Sequence, residues 1–453
     1  MAKVRVPDLV PGMVLGEDVL TPGGRFLMPR GTRLDRSHLT TLSGWGLDAV
    51  EVAPGGDSGA GQEAGPGMTA TTTAPATRQP PPRPADFLGQ AVEAVRSRFV
   101  FVDLGDEAAT AVFKMCVART AKRMARSAAE AASGSGGEPP VPGAKPAPKA
   151  QAAPDAGAAS IPTPEDLLRD DPQLVSLPEV FARINAVLRD PHSSVEDAAK
   201  IIGTDPSLSA KLLKLVNSAF FSRASRAVEK RFPTKVDSLT RAVTIVGGKQ
   251  LATLALGVSV LPIFRDIPPE YINMKAFWKH SIGCGIIARA LAEHIGAGNE
   301  ESYFVAGLLH DIGRLIMYKH LPGPSGGALR TSREEPMTLT MAERGVFSWD
   351  HALLGGLLLR KWQYPAVLEK MVRYHHDLSE PLFIEEPAVI HVADFLVNAL
   401  EIGTSGEWRV PALLPEAFEA LGLSPADLAG IVSGVDARIE EVFTSFFPGD
   451  EDV

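Results

Sequence analysis

Histidine and aspartate stand side by side in "GLLHDIGRLIMY", residues 307–318, inside an apolar run. His310 and Asp311 are flanked by Leu308, Leu309, Ile312, Leu315 and Ile316. A carboxylate in such surroundings needs a cation, a hydrogen-bond network or a metal. Of the ten histidines in the chain, eight fall between His280 and His391, so the pair is not isolated. The further candidates are His280 in "FWKHSIG", His351 in "SWDHALLGG", His375 and His376 in "RYHHD", and His391 and Asp394 in "VIHVADFLV". Imidazole and carboxylate donors together suit zinc, iron or manganese. Such an ion with an open position lowers the pKa of a bound water and stabilises phosphoryl oxygens, the chemistry of phosphoester hydrolysis. Arg314, one turn beyond His310, is placed to help hold a phosphate. The plainer alternatives are a satisfied core histidine at His280 and a hydrogen-bonded His310–Asp311 pair that closes a helix junction. His294 and His320 sit at helix ends, and His38 and His192 lie in loops or first turns.

Aiming these side chains at one point requires several helices, because each candidate lies in or beside a segment of helical period. From about Pro164 onward the chain is helical in pattern. "LPEVFARINAVLRD" places Leu177, Val180, Phe181, Ile184, Val187 and Leu188 on one face. Ser194 is a cap for a helix ending at Gly203, and Asp205 followed by Pro206 opens the next. Gly247-Gly248 separates two further helices whose spacing loosely resembles a helix-turn-helix. The fold class expected is mainly α, an all-helical domain preceded by a small mostly-β module and linkers. Residues 1–53 form that module: short strand-like runs are split by Pro-Gly and Gly-Gly turns, with a short helix over "DRSHLTTLSGWG". Residues 54–84 and 132–163, rich in Pro, Gly, Ala and Thr, read as linkers. Residues 85–131 read as two helices, the second with a basic, solvated face of Lys114, Arg119, Lys122, Arg123 and Arg126.

The chain has 453 residues, enough for two or three domains, and a net charge of −9. That acidity counts against a nucleic-acid binder, including through the Gly247-Gly248 pair. The two cysteines, Cys116 and Cys284, fit no metal or redox spacing and suit a reducing compartment. No secretory signal is evident at the N-terminus, and the most apolar stretch, around Leu251–Phe264, is short and contains Pro262. A cytoplasmic protein without a membrane partner is expected.

Residues 174–381 resemble the HDOD domain, a relative of the HD metal-dependent phosphohydrolases. The likeness runs through "SLPEVFARINAVLRDPHSSVEDAAKIIGTDPSLSAKLLKLVNSAFF", "SLTRAVTIVGGKQLATLAL", "FWKHS", "FVAGLLHDIGRLIM" and "FSWDHALLGGLLLRKWQYPAVLEKMVRYHHD". "PGMVLGEDV" and "GTRLDRSHLTTLSGWGLDAVEV" likewise resemble the module that precedes HD-GYP phosphodiesterases. The resemblance implies an N-terminal helical half and an HD-like half, the latter completed by helices in 382–448. It implies a regulatory or scaffolding role in bacterial signalling, without assigned catalysis. Carried over residue by residue, the HD pattern matches His280, His310, Asp311 and Asp394. The second site of the two-metal HD-GYP branch is similar to His351, His375 and His376. Three departures stand against cyclic-dinucleotide hydrolysis. No Gly-Tyr-Pro segment follows the double histidine, Ala276 stands where an acidic residue is expected, and Arg314 stands where a lysine is expected.

The leading expectation is therefore a non-catalytic signalling regulator with protein partners, and with room for a nucleotide second messenger. Its seven ligands, His280, His310, Asp311, His351, His375, His376 and Asp394, are able to hold Fe, Mn or Zn. The alternative is a metal-dependent phosphohydrolase or phosphodiesterase that uses Asp311 and Arg314.

Overall fold

The computed structural model describes residues 2–10, 12–17, 19–20, 26–28, 49–52 and single residues between them in the N-terminal region. Beyond that region it describes 83–132, 161–170, 179–218 without 191 and 193, 221, 236–264, 267–379 and 384–447. Nearly all of the two expected linkers, and Leu177, lie outside these residues. So do Asp35, Gly44 and Gly46, the expected ends of the short N-terminal helix; within that segment His38 and Leu42 are helical.

Two compact units emerge, residues 1–79 and 80–453. In the first, β1 (Ala2–Arg5) pairs antiparallel with β4 (Ala49–Val52), bringing the two ends of the module together. β2 (Val19–Leu20) pairs with β3 (Phe26–Met28) through a bulged register. Val6, Leu9, Leu15, Val19, Met28, Leu34, Leu42, Val50 and Val52 form a small core of their own.

The second unit is helical throughout its described length. After a 3-10 turn at Pro84–Phe87 it opens with a hairpin of α1 (Leu88–Arg96) and α2 (Glu107–Ala132). Next come α3 (Pro164–Asp170), α4 (Glu179–Arg189), α5 (Val195–Ile202), α6 (Pro206–Val216), α7 (Leu239–Val246) and α8 (Gly248–Ser259). The capping signals act locally as their chemistry requires. Ser194 and Asp197 form a reciprocal capping box on α5, and Asp205 accepts from Leu208 N–H ahead of Pro206 on α6. α8 is the axis of this half: α4, α5 and α6 pack around it, and Leu251 to Val258 are all buried. No single helix among the described residues is long and apolar enough to cross a membrane. The pair Leu239–Val246 and Gly248–Phe264 has the composition, but it is bent by 114°.

The following half holds α9 (Met274–Ile295), α10 (Glu300–Leu309), α11 (Ile312–His320), α12 (Pro322–Glu334) and α13 (Leu339–Phe347). It continues with α14 (His351–Lys361), α15 (Ala366–Tyr374) and α16 (Glu385–Ala399). α17 (Pro415–Ala420), α18 (Pro425–Ile431) and α19 (Val435–Phe446) close the chain. Long α9 is the spine, packing against α10, α16 and α19. The α1–α2 hairpin is not a free-standing segment. It shares the core of this unit, with α2 lying on α16 and α18. Its basic face is also partly engaged: Arg119 pairs with Asp436 on α19, and Arg123 pairs with Glu401 just beyond α16.

Candidate metal centre

His310 and Asp311 form the two-residue joint between α10 and α11. His310 keeps helical angles while Asp311 turns to φ −98°, ψ 10°, so both side chains face inward at a break between helices. His280 comes from α9 and Asp394 from α16. Asp350 caps α14 by accepting from Leu353 N–H at 3.0 Å, which makes His351 the first residue of that helix. His375 and His376 follow directly on α15. The glycines of "GLLHDIG" allow this convergence. A Cβ on Gly307 would fall 2.6 Å from Gly285 N on α9, and one on Gly313 would fall 2.1 Å from the His351 carbonyl oxygen. Only bare backbone lets α10 lie that close to α9, and α11 to α14.

The structure brings all seven candidate ligands together as two groups: His280, His310, Asp311 and Asp394, and His351, His375 and His376. In the first, His280 Nε2 lies 3.3 Å from Asp311 Oδ2 and 3.2 Å from Asp394 Oδ1. His310 Nε2 lies 3.1 Å and 3.3 Å from the same two oxygens. Ligands about 2.0–2.1 Å from a tetrahedral ion stand roughly 3.3–3.4 Å from one another, so these edges have the right length. Asp311 also reaches the second group, its Oδ1 lying 3.0 Å from His351 Nε2. One carboxylate thus serves both. Of the seven residues, only His376 is partly exposed.

The remaining hydrogen bonds fix which ring nitrogen is available. His310 Nδ1 bonds Gly307 O at 2.8 Å, His375 Nδ1 bonds Val372 O at 2.7 Å, and His351 Nδ1 bonds a Glu343 oxygen at 2.6 Å. Carbonyl and carboxylate oxygens only accept, so each Nδ1 carries the proton and each neutral ring presents a lone pair on Nε2. Those Nε2 atoms, both ring nitrogens of His280 and Asp311 Oδ1 are buried without an aligned hydrogen-bond partner. Native interiors rarely tolerate so many orphaned polar atoms at one point. The donor set, its edges and its unpaired atoms all fit a divalent cation.

Electrostatics agree with this fit. Burial pushes Asp311 up, but Arg314 and the surrounding histidines, His310 and His351, hold its carboxyl well below the usual range. Burial opposes Asp394 in the same way, and His280 and His310 overcome it. His280 and His310 are raised, because the two aspartates outweigh burial. His351 rises to about 9: burial and Arg314 depress it, while Glu343 and Asp311 raise it further. Burial, together with the neighbouring His310 and His351, drives His375 down to about 3. Burial and His375 push His376 well down. The first group therefore pairs two ionised carboxylates with two histidines that take up protons readily when no cation is there, and the second offers two imidazoles, His375 and His376, that stay neutral.

Residues 174–378 match the family model of the HDOD domain. These residues form an HDOD domain. Six of the seven candidate ligands lie inside the match and Asp394 beyond it. The fold is shared with a crystal structure of a "Putative phosphohydrolase" from Shewanella amazonensis SB2B (TM-score 0.50, 22% identity, 62% of this chain and 97% of that one). An HDOD domain protein of unknown function from Geobacter sulfurreducens is also similar (TM-score 0.49, 24% identity, 62% and 95%). An uncharacterized protein of Treponema pallidum (strain Nichols) is 27% identical over 238 residues, 52% of this chain. The match spans only 43% of that relative's length.

Within the HDOD domain, Arg314 is not available to a phosphate. It is 3% exposed, and its guanidinium is spent on protein: Nε on Glu343 at 2.9 Å, Nη1 on Ser405 Oγ at 2.6 Å and on Asp311 at 3.3 Å, Nη2 on Thr340 at 3.4 Å. Sequence reasoning missed Glu343, which holds Arg314 with one oxygen and His351 with the other. Its signal was a Glu on the buried stripe of α13, one turn from both Leu339 and Phe347. It also missed Asn398, which donates to Asp394 Oδ1 at 2.8 Å from one turn further along α16. His391 is a strut. Its Nδ1–H donates to His375 O at 2.8 Å, and its Nε2 accepts from Leu414 N–H at 3.0 Å, leaving neither nitrogen for a metal.

Proposed function

We propose that this protein is a signal-transduction regulator whose HDOD domain holds divalent cations at the seven ligands and works by contacting protein partners rather than by turnover. The observation that carries this reading is the pairing of unpartnered, buried ligand atoms with an arginine wholly committed to protein acceptors. A bound cation would supply a low-pKa water and charge stabilisation of phosphoryl oxygens. The chain's own contribution is to hold deprotonated Asp311 and Asp394 against His280 and His310, and to present His351, His375 and His376 with their Nε2 atoms free. It keeps Arg314 from any incoming phosphate and shields six of the seven ligands from solvent. The first unit, read as a module of the kind that precedes HD-GYP phosphodiesterases, would supply a second contact. Elemental analysis of protein purified without chelator tests the metal; assays on phosphomonoesters and phosphodiesters, with co-purification from the native cell, test the rest. Metal-free protein would sink the first half of the reading, and turnover lost on Asp311→Ala would sink the second.

A second reading, a metal-dependent phosphohydrolase, draws on the shared Asp311 and on partly exposed His376. Two adjacent cation sites joined by one carboxylate are the usual frame for in-line displacement at phosphorus, and His376 is the ligand a substrate could reach. The turnover assays decide between the two.

A further inference from the structure

The α1–α2 hairpin precedes the HDOD domain in the chain, yet it grips the end of α16, the helix that carries Asp394. Arg98, in the turn of the hairpin, donates to the carbonyl oxygens of Asn398 and Ala399. These belong to the last turn of α16, where Asn398 O also accepts from Glu401 N–H at 3.2 Å, and a cation there suits the helix dipole. Cys116 Sγ on α2 donates to Ala399 O at 3.1 Å. Arg98 and Arg123 both pair with Glu401. Further on, Val410 N–H donates to Arg98 O at 2.9 Å. The segment 398–410 is therefore held by the hairpin at both its ends.

Between those anchors the same segment touches the centre. Asn398 holds the Asp394 oxygen that faces His280 and His310. Gly403 lies so close to α9 that a Cβ there would fall 2.2 Å from Ala276 O and 2.5 Å from His280 N. Thr404 N–H donates to Ala276 O at 3.1 Å. Ser405 Oγ accepts from Arg314, and Ser405 O accepts from the Tyr318 hydroxyl at 2.9 Å. The segment thus braces one ligand directly, the backbone of a second, and the arginine beside a third.

We propose that the hairpin is a strap: by holding 398–410 from outside, it keeps Asp394, the His280 turn and Arg314 in the arrangement that takes a cation. This rests on the metal-holding reading above. Strap and cation favour the same state, so each strengthens the other by the same factor. A partner or modification that draws the hairpin away releases the ion, and loss of the ion loosens the hairpin.

The test uses the full-length protein and Mn2+, followed by calorimetric titration and amide hydrogen exchange. Arg98→Ala should weaken Mn2+ binding about tenfold or more, the size of effect typical when support behind a ligand is removed. It should also speed exchange across 394–410, and Mn2+ should slow exchange in α1 and α2 of the wild-type protein. Arg119→Ala is the control: it breaks the hairpin's contact with Asp436 and leaves 398–401 untouched, so Mn2+ affinity should hold. Should Arg98→Ala not fold, Arg98→Lys, which keeps the charge but not the paired donors, takes its place. Faster exchange in the hairpin with unchanged Mn2+ affinity overturns the proposal, as does an equal loss in Arg119→Ala. If the wild-type protein takes up no Mn2+, the metal reading fails, and exchange across 394–410 in the Arg98 variant then decides the strap alone.

Discussion

Removing the Glu343 carboxylate should damage both stability and one half of the metal centre. Its Oε2 accepts from His351 Nδ1–H at 2.6 Å and from His351 N–H at 3.2 Å, while its Oε1 accepts from Arg314 Nε–H at 2.9 Å. All three donors are buried. Breaking a buried ion pair from one side costs about 3–5 kcal/mol, and a stranded buried N–H costs about 1–3 kcal/mol. These terms overlap, so Glu343→Ala should lose about 4 kcal/mol. In a unit this large that corresponds to a Tm drop of about 5–8 °C for metal-free protein. Cation affinity should fall separately. Without Glu343 the His351 ring is free to take the other tautomer, and loss of such a support weakens metal binding about 10–100-fold, or about 1.4–2.7 kcal/mol. The group with His375 and His376 should bear that loss, and the group with His280 and Asp394 much less. Glu343→Gln keeps the shape but cannot accept from every donor, and should fall between the two. Thermal melting of chelated protein and calorimetric titration with Mn2+ measure both effects. A Glu343→Ala protein that melts within about 1 °C of wild type, or that binds two cations with wild-type affinities, would refute the reasoning.

Asp311→Ala should abolish binding at both groups because each uses one of its oxygens, whereas Asp394→Ala should cost only the first; cation stoichiometry by elemental analysis separates the two outcomes. His391→Ala strands Leu414 N–H and His375 O, so it should cost about 3 kcal/mol in denaturant unfolding while the cation count is retained. Metal-free protein should be most stable near pH 6.5, as read from melting curves across pH. His375 falls to about 3 in the fold, so below 6.5 the unfolded chain takes the proton first and stability declines with pH. His351 rises to about 9, so the stability it contributes below 6.5 is lost as pH climbs towards 9. Bound Mn2+ should remove that alkaline decline, because the cation then takes the place of the proton.

Most of the candidate ligands stood out in the sequence because each is a polar residue in or beside an apolar helical run, where burial has a cost that needs a partner. His280 in "FWKHSIG" and Asp394 in "VIHVADFLV" stand out for that reason. The helix caps at Ser194 and Asp205 were equally plain, since a cap depends only on residues three or four positions away. What could not be read depends on partners distant in the chain. Arg314 has the spacing of a phosphate ligand, and only Glu343 and Ser405, 29 and 91 residues away, reveal that its donors are used. His391 looked as suited to a metal as its neighbours until Leu414 and the His375 carbonyl claimed its nitrogens. The hairpin looked detached because two Pro- and Gly-rich stretches flank it, and nothing local in Arg98 or Cys116 points to residues 398–401.

Enclosure of the ligands has a consequence in time. With all four ligands of the first group buried, an ion seated among them could leave only when the surrounding helices part, and local opening of a packed core is infrequent, whereas the group of partly exposed His376 stays open to exchange. Exchange with the surrounding pool would then lag far behind any change in that pool. A chain would carry a record of the ions present when it folded, and two populations made under different supply would coexist for as long as neither opens. For a regulator of the kind proposed above, that would be a memory written at synthesis rather than a gauge of the present moment.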